Sequence, residues 1–128
     1  KLRTDPRVFV LEKKNVRYLR AEELPATPRL ATLDVSFISL RLVLPKIKEL
    51  LAPGGEIVAL IKPQFEVGKG KVGKGGVVRS HEEQLRVVEE IRQAAVAMGL
   101  QVKGVTESPL LGPRGNREFF IHLVKEKI

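Results

Sequence analysis

Pro53-Gly54-Gly55-Glu56-Ile57-Val58-Ala59-Leu60-Ile61-Lys62-Pro63-Gln64-Phe65-Glu66 is the stretch whose reading decides the fold. Ile57 to Ile61 is the most apolar run in the chain, and after a Pro-Gly-Gly turn it reads as a short strand buried on both faces. Pro63 removes an amide donor and ends the pairing, so the chain must turn there. Lys62 therefore stands at the carboxyl end of a strand, where open α/β sheets place their functional groups. The plain alternative is a solvated lysine at a strand end. Its neighbours decide between the two.

Upstream, Ser39 to Leu51 repeats apolar residues at helical spacing through Leu40, Val43, Leu44, Ile47 and Leu50. Pro45 lies inside this pattern and should kink the helix or restart it. Residues 30–35 read as a strand ending near Asp34, and Arg7 to Glu12 as a further strand after Pro6. Downstream, Ser80 and Glu83 fit a capping box that opens a helix running to Met98, with Gly99 placed to end it. Residues 101–106 and 118–124 read as strands, separated by a loop rich in proline and glycine. Alternation of strands and helices through the middle predicts an α/β fold with a mostly parallel sheet. The last two strands have no helix between them, which predicts an antiparallel final strand.

Bulk properties bound the function. The 128 residues make one domain or part of one, and 43% hydrophobic content suits a globular protein with a real core. A net charge of +8 and a pI near 10.1 favour acidic partners, nucleic acid first. The chain has no cysteine, which excludes disulfides and thiolate metal sites and suits a reducing compartment. His81 and His122 are its only histidines, too few for a histidine-based metal cluster, so no metal is expected. No apolar run approaches the roughly 20 residues of a membrane span, and no signal peptide is visible. The sequence opens Lys1-Leu2-Arg3 with Met98 as its single methionine, so a piece of a longer protein is expected.

Topology brings three charged residues together. Asp34 and Lys62 end neighbouring parallel strands, joined by a right-handed crossover. Glu118 begins the final strand, and if that strand is antiparallel its start shares the same rim. Taken singly, Asp34 could be a cap and Glu118 half of a surface pair with Arg117. Together, a lysine between two carboxylates suits work on a hydroxyl proton. Lysine is a base only when deprotonated, which burial or a nearby cation favours and two carboxylates oppose.

Gly68 to Lys74 spells G-x-x-x-x-G-K, but Gly75 stands where a phosphate-binding loop needs serine or threonine, and the next helix begins too late. The nucleotide reading fails on both counts. Lys69, Lys71, Lys74 and Arg79 remain as a cationic loop that either meets phosphates or is simply solvated.

Four blocks carry a family resemblance: Leu33 to Leu40, Lys62 to Glu66, Gly73 to Arg79, and Gly112 to Phe119. With them the chain, from Asp5 to Leu123, resembles the TlyA (hemolysin A) family, which is similar to FtsJ-type ribose 2′-O-methyltransferases. The resemblance implies a partial Rossmann-like methyltransferase sheet, S-adenosylmethionine as cofactor, ribosomal RNA or ribosomal subunits as partner, and a cytoplasmic location. It implies catalytic roles for Lys62, Asp34 and Glu118, matching three members of a Lys-Asp-Lys-Glu tetrad. It places Glu12, Asn15 and Asp34 near the cofactor, and Arg114 with the loop cations at RNA.

Missing are the first tetrad lysine, the glycine-rich cofactor loop and the N-terminal RNA-binding domain. Residues 1–128 are therefore expected to be the C-terminal portion of a methyltransferase domain, inactive alone and prone to self-associate or to rearrange its first strand. The alternatives are a non-catalytic RNA-binding module and, on the family's hemolysin name only, a membrane-active protein. No strongly amphipathic basic helix supports the last.

Overall fold

The computed structural model describes residues 2–68, 72–73 and 75–127. Its regular elements are β1 (Leu30–Leu33), α1 (Leu40–Leu50), β2 (Glu56–Ile61), α2 (His81–Ala97), β3 (Leu100–Glu107) and β4 (Phe119–Lys125). The strands form one sheet in the order β1-β2-β4-β3. β1 and β2 are parallel neighbours, while β4 runs antiparallel between β2 and β3. The expected antiparallel last strand is present.

Both helices start where their side chains supply acceptors. Ser39 takes the Arg41 amide at the head of α1, and Ser80 takes the Glu83 amide at the head of α2. Met98 ends α2, and Gly99 follows at φ +89°, a conformation that favours glycine. α1 runs through Pro45 without a break. Pro45 is on the exposed side of α1, so water can serve the Arg41 carbonyl left without its helical donor.

The core lies on one face of the sheet. Ile57, Ala59 and Ile61 of β2 and Phe119, Ile121 and Leu123 of β4 pack against Val43, Leu44 and Ile47 of α1 and Val87, Ile91 and Ala95 of α2. β2 is thus buried in alternation and not on both faces as its apolar run suggests; Val58 and Leu60 are half-buried on the other side. Helical cover lies on the face that holds Ile57, Ala59 and Ile61, and it is cover that decides burial.

Arg7 to Glu12 forms no strand. Asp5 captures the Arg7 amide at 2.9 Å and its guanidinium at 2.7 Å, and the Val8 amide bonds back to the Asp5 carbonyl at 3.0 Å. A local turn consumes donors a ladder would need. No strand lies against Phe9, Val10 and Leu11 among the described residues, and all three are exposed.

Candidate active site at the carboxyl rim of the sheet

Register sets the rim. Leu33 of β1 pairs with Ala59 of β2, so Asp34 leaves its strand beside the end of β2. Ile61 pairs with Phe119, which puts Lys62 opposite Glu118 at the next position. Lys62 Nζ forms an ion pair with Asp34 Oδ1 and donates to Ser36 Oγ at 3.3 Å. The Lys62 side chain is 10% exposed and that of Asp34 68%, so the lysine stem is packed while the pair faces outward.

Glu118 joins the same rim through an intermediary. Its carboxylate is buried and accepts from Gln64 Nε2 at 3.2 Å. Gly112 packs directly on that carboxylate, and a Cβ there would fall inside it. The other Gln64 amide atom, Oε1, is buried without a hydrogen-bond partner among the described residues. That acceptor is the sort of orphan for which a native site needs an account. The turn Lys62–Glu66 is therefore the hub, meeting Asp34 and Ser36 from Lys62 and Glu118 from Gln64.

A buried asparagine knots the surrounding loops. Asn116 Oδ1 accepts from the Val78 amide at 3.0 Å, and Nδ2 donates to the carbonyls of Gly76 and Pro113. Gln84 of α2 donates to the Val78 carbonyl at 2.9 Å, so the helix holds the far end of the same loop. Arg114, at φ 59°, donates to the Gly75 carbonyl. These segments enclose a cavity of about 350 Å³ lined by Ser36, Phe37, Gln64, Phe65, Arg114 and Asn116, among others. Of the expected RNA-contacting residues, Arg79 is exposed beside Gly73 and Arg114 lines this cavity. Lys69, Lys71 and Lys74 lie outside the described residues.

Phe37 stands at the cavity mouth, 89% exposed and at φ 63°. An aromatic residue in the left-handed region is strained, and strain of this kind clusters at functional sites. Its ring leans on Phe65 with centroids 4.7 Å apart. Leu110 and Leu111, in the loop before Gly112, are also exposed. The rim thus offers an aromatic plate and apolar side chains next to cations.

Glu66 closes the hub from beneath. Its Oε1 accepts from Ser39 Oγ at 2.6 Å, and its Oε2 from the Leu40 amide at 2.8 Å. Burial pushes its carboxyl above the ordinary value, against the opposing pull of those two hydrogen bonds. Sequence reasoning assigned no role to Glu66, Gln64, Phe37 or Asn116. Phe37, two residues before Ser39 in a turn after a strand, carried a faint signal as an apolar residue with no helical or strand period to serve. The others gain meaning only from partners distant in sequence.

The residues expected at the cofactor are engaged elsewhere. Glu12 pairs with Arg3, and Asn15 caps a short 3-10 turn by accepting the Arg17 amide at 3.0 Å. Asp34 is held by Lys62. These donors and acceptors do not compose a nucleoside site. No metal-binding cluster and no helix long and apolar enough to cross a membrane occur among the described residues.

Comparison with known proteins places this geometry. The profile of FtsJ-like methyltransferases matches residues 1–125. The 16S/23S rRNA (cytidine-2′-O)-methyltransferase TlyA of Mycobacterium tuberculosis is 47% identical over 122 residues, which are 95% of this chain and 46% of that protein. A solved structure of a Streptococcus thermophilus protein named after hemolysins is 44% identical with a TM-score of 0.94, covering 98% of this chain and 46% of that one. A 16S rRNA (adenine(1408)-N(1))-methyltransferase from Catenulisporales acidiphilia shares the fold at 14% identity and a TM-score of 0.53, over 88% of this chain and 59% of that one. The chain spans about half the length of the curated relatives it matches. With its parallel strands, its inserted antiparallel strand and a charged rim at their ends, the chain belongs to the FtsJ-like methyltransferase family.

Proposed function

We propose that this chain forms the ribose-facing part of an S-adenosylmethionine-dependent methyltransferase that modifies a 2′-hydroxyl of ribosomal RNA. One observation carries the reading: a packed lysine at the carboxyl rim, paired with Asp34 and set opposite Glu118. The activity printed for the Mycobacterium tuberculosis relative supports the substrate. Lys62 meets the ribose oxygen as a hydrogen-bond donor and orients it, with Asp34 as its ion-pair partner at the rim. Glu118, steered by Gln64 and by the absence of a side chain at Gly112, fixes the opposite side of the ribose. Phe37 and Arg114 give the nucleotide an aromatic plate and a cation at the cavity mouth.

The test joins the chain to the part of the Mycobacterium tuberculosis relative that it does not cover and measures methyl transfer from S-adenosylmethionine to ribosomal RNA. Lys62→Ala is expected to lower the rate about 10²–10³-fold, the range for removing one positioned hydrogen-bond donor at a reacting oxygen, with cofactor KM unchanged. Full activity in that variant would remove Lys62 from the chemistry. Retained RNA binding without any methyl transfer in the parent fusion would favour a non-catalytic RNA-binding module.

A further inference from the structure

We propose that Glu66 is the positioning residue of this site: it holds the segment carrying Asp34 in register with the turn carrying Lys62. The inference concerns the geometry of the Lys62–Asp34 pair, and its consequence for methyl transfer rests on the function proposed above.

Two segments meet here, residues 34–40 and residues 62–66. The ties nearest the solvent are weak holders. Asp34 is 68% exposed in its pair with Lys62, and exposed ion pairs contribute little. The Phe37–Phe65 ring contact involves a strained and almost fully exposed ring, so it draws on the register more than it fixes it.

Glu66 differs in kind. It is buried, and both of its oxygens are used, one on a side chain and one on the backbone of the same opposing segment. Charge-assisted bonds of this sort are the stronger ones, and a carboxylate at a helix N-terminus is favoured by the helix dipole.

The link from Glu66 to Lys62 is stiff. Between them lies a 3-10 turn, with the Phe65 amide on the Lys62 carbonyl at 2.9 Å and the Glu66 and Val67 amides on the Pro63 carbonyl at 3.0 Å. On the other side, Ser39 receives the Arg41 amide on the same hydroxyl that donates to Glu66. The start of α1 and the end of β2 are therefore locked by one carboxylate, five residues after Asp34 at its nearest partner and four after Lys62. A carboxylate that only capped α1 would have no need to arise from the turn that carries Lys62.

Accessibility of the Lys62 amine to acetylation, read by mass spectrometry on the intact chain, tests this without reference to methyl transfer. Glu66→Ala is expected to raise Lys62 labelling about tenfold, the population change expected when one to two hydrogen bonds are lost. Labelling of Lys125, which donates to the Leu51 carbonyl at 2.7 Å at the opposite end of the sheet, should not change. Glu66→Gln, which keeps an acceptor and can accept a hydrogen bond from either Ser39 or Leu40, should restore most of the protection.

If Glu66→Ala does not fold, Ser39→Ala removes one of the two bonds and should give a rise of about threefold. Unchanged Lys62 labelling in a folded Glu66→Ala or Ser39→Ala chain would overturn the proposal, as would an equal rise at Lys125. A selective rise at Lys62 with unaltered methyl transfer in the fused protein would uphold Glu66 as positioning residue while removing Lys62 from the reaction.

Discussion

Arg7-Val8-Phe9-Val10-Leu11-Glu12 and Glu56-Ile57-Val58-Ala59-Leu60-Ile61 are similar in make-up, a run of apolar residues with charge at its edge, and only the second is a strand. Glu56–Ile61 has a parallel neighbour on one side and an antiparallel neighbour on the other, and helices cover its core-facing residues. Arg7–Glu12 has an aspartate just before it that turns the chain, and Phe9, Val10 and Leu11 face solvent. Strand preference is largely the preference for a pleated, half-buried surface, so the residues express it only where neighbours supply that surface. The same holds for function: Lys62 is distinctive because of what the sheet sets beside it.

Truncating each run by a similar amount should separate them widely. Ile57 is fully buried, and Ile57→Ala is expected to cost about 2–5 kcal/mol by urea denaturation, the range for a large core residue. Val10 is 42% exposed, and Val10→Ala should stay within about 0.5 kcal/mol of zero. Comparable losses at the two positions would mean that Arg7–Glu12 packs in solution as a strand does.

Partners also divide what could be read from the chain from what could not. Ile57 to Ile61, the serine cap at Ser80, and the end of α2 near Gly99 follow from residues close in sequence, where period, cap and turn chemistry act. The shared rim of Asp34, Lys62 and Glu118 was legible too, because strand order and direction fix which ends coincide. The Gln64 bridge to Glu118 and the Asn116 knot on Val78 and Gly76 were not. Each depends on side-chain reach across loops 38 or more residues apart, and neither period nor spacing encodes that. Arg7–Glu12 misled for the converse reason, since local preference was clear and the missing neighbour was not.

A second measurement carries the comparison to a buried ionisable group with partners. Glu66 has a folded-state carboxyl value raised by burial, so between the ordinary and the raised value the folded chain binds more protons than the unfolded one. The stabilisation linked to its protonation is fully present below the ordinary value and is lost as pH rises through the raised one. Half-buried Asp5 and Glu23, whose carboxyls are lowered by hydrogen bonds with their arginine and lysine neighbours, act in the opposite sense. Arg41 on α1 opposes the Glu66 shift and Glu90 on α2 reinforces it. Comparing urea midpoints of the parent and Glu66→Gln at pH 7 and pH 5 cancels the background groups. The parent is expected to gain on the variant as pH falls, and parallel pH responses would show that Glu66 is solvated like the acids of the N-terminal segment.

A small stability change is expected at Phe37, where two effects of similar size oppose. Replacing it by glycine relieves about 1–2 kcal/mol of left-handed backbone strain and removes a ring pair worth about 0.5–1.5 kcal/mol. With 89% of the residue exposed, little burial is lost, so Phe37→Gly should leave the denaturation midpoint within about 0.5 kcal/mol of the parent. RNA affinity should nonetheless weaken by about 1–3 kcal/mol if the ring serves as a stacking plate. Unlike Phe9, which is also exposed, Phe37 is held in a costly conformation by Lys62 on Ser36 and Glu66 on Ser39 to either side of it. A Phe37→Gly chain with lower stability and unchanged RNA affinity would place the two phenylalanines in the same class, and the strain at Phe37 would then have no ligand to serve.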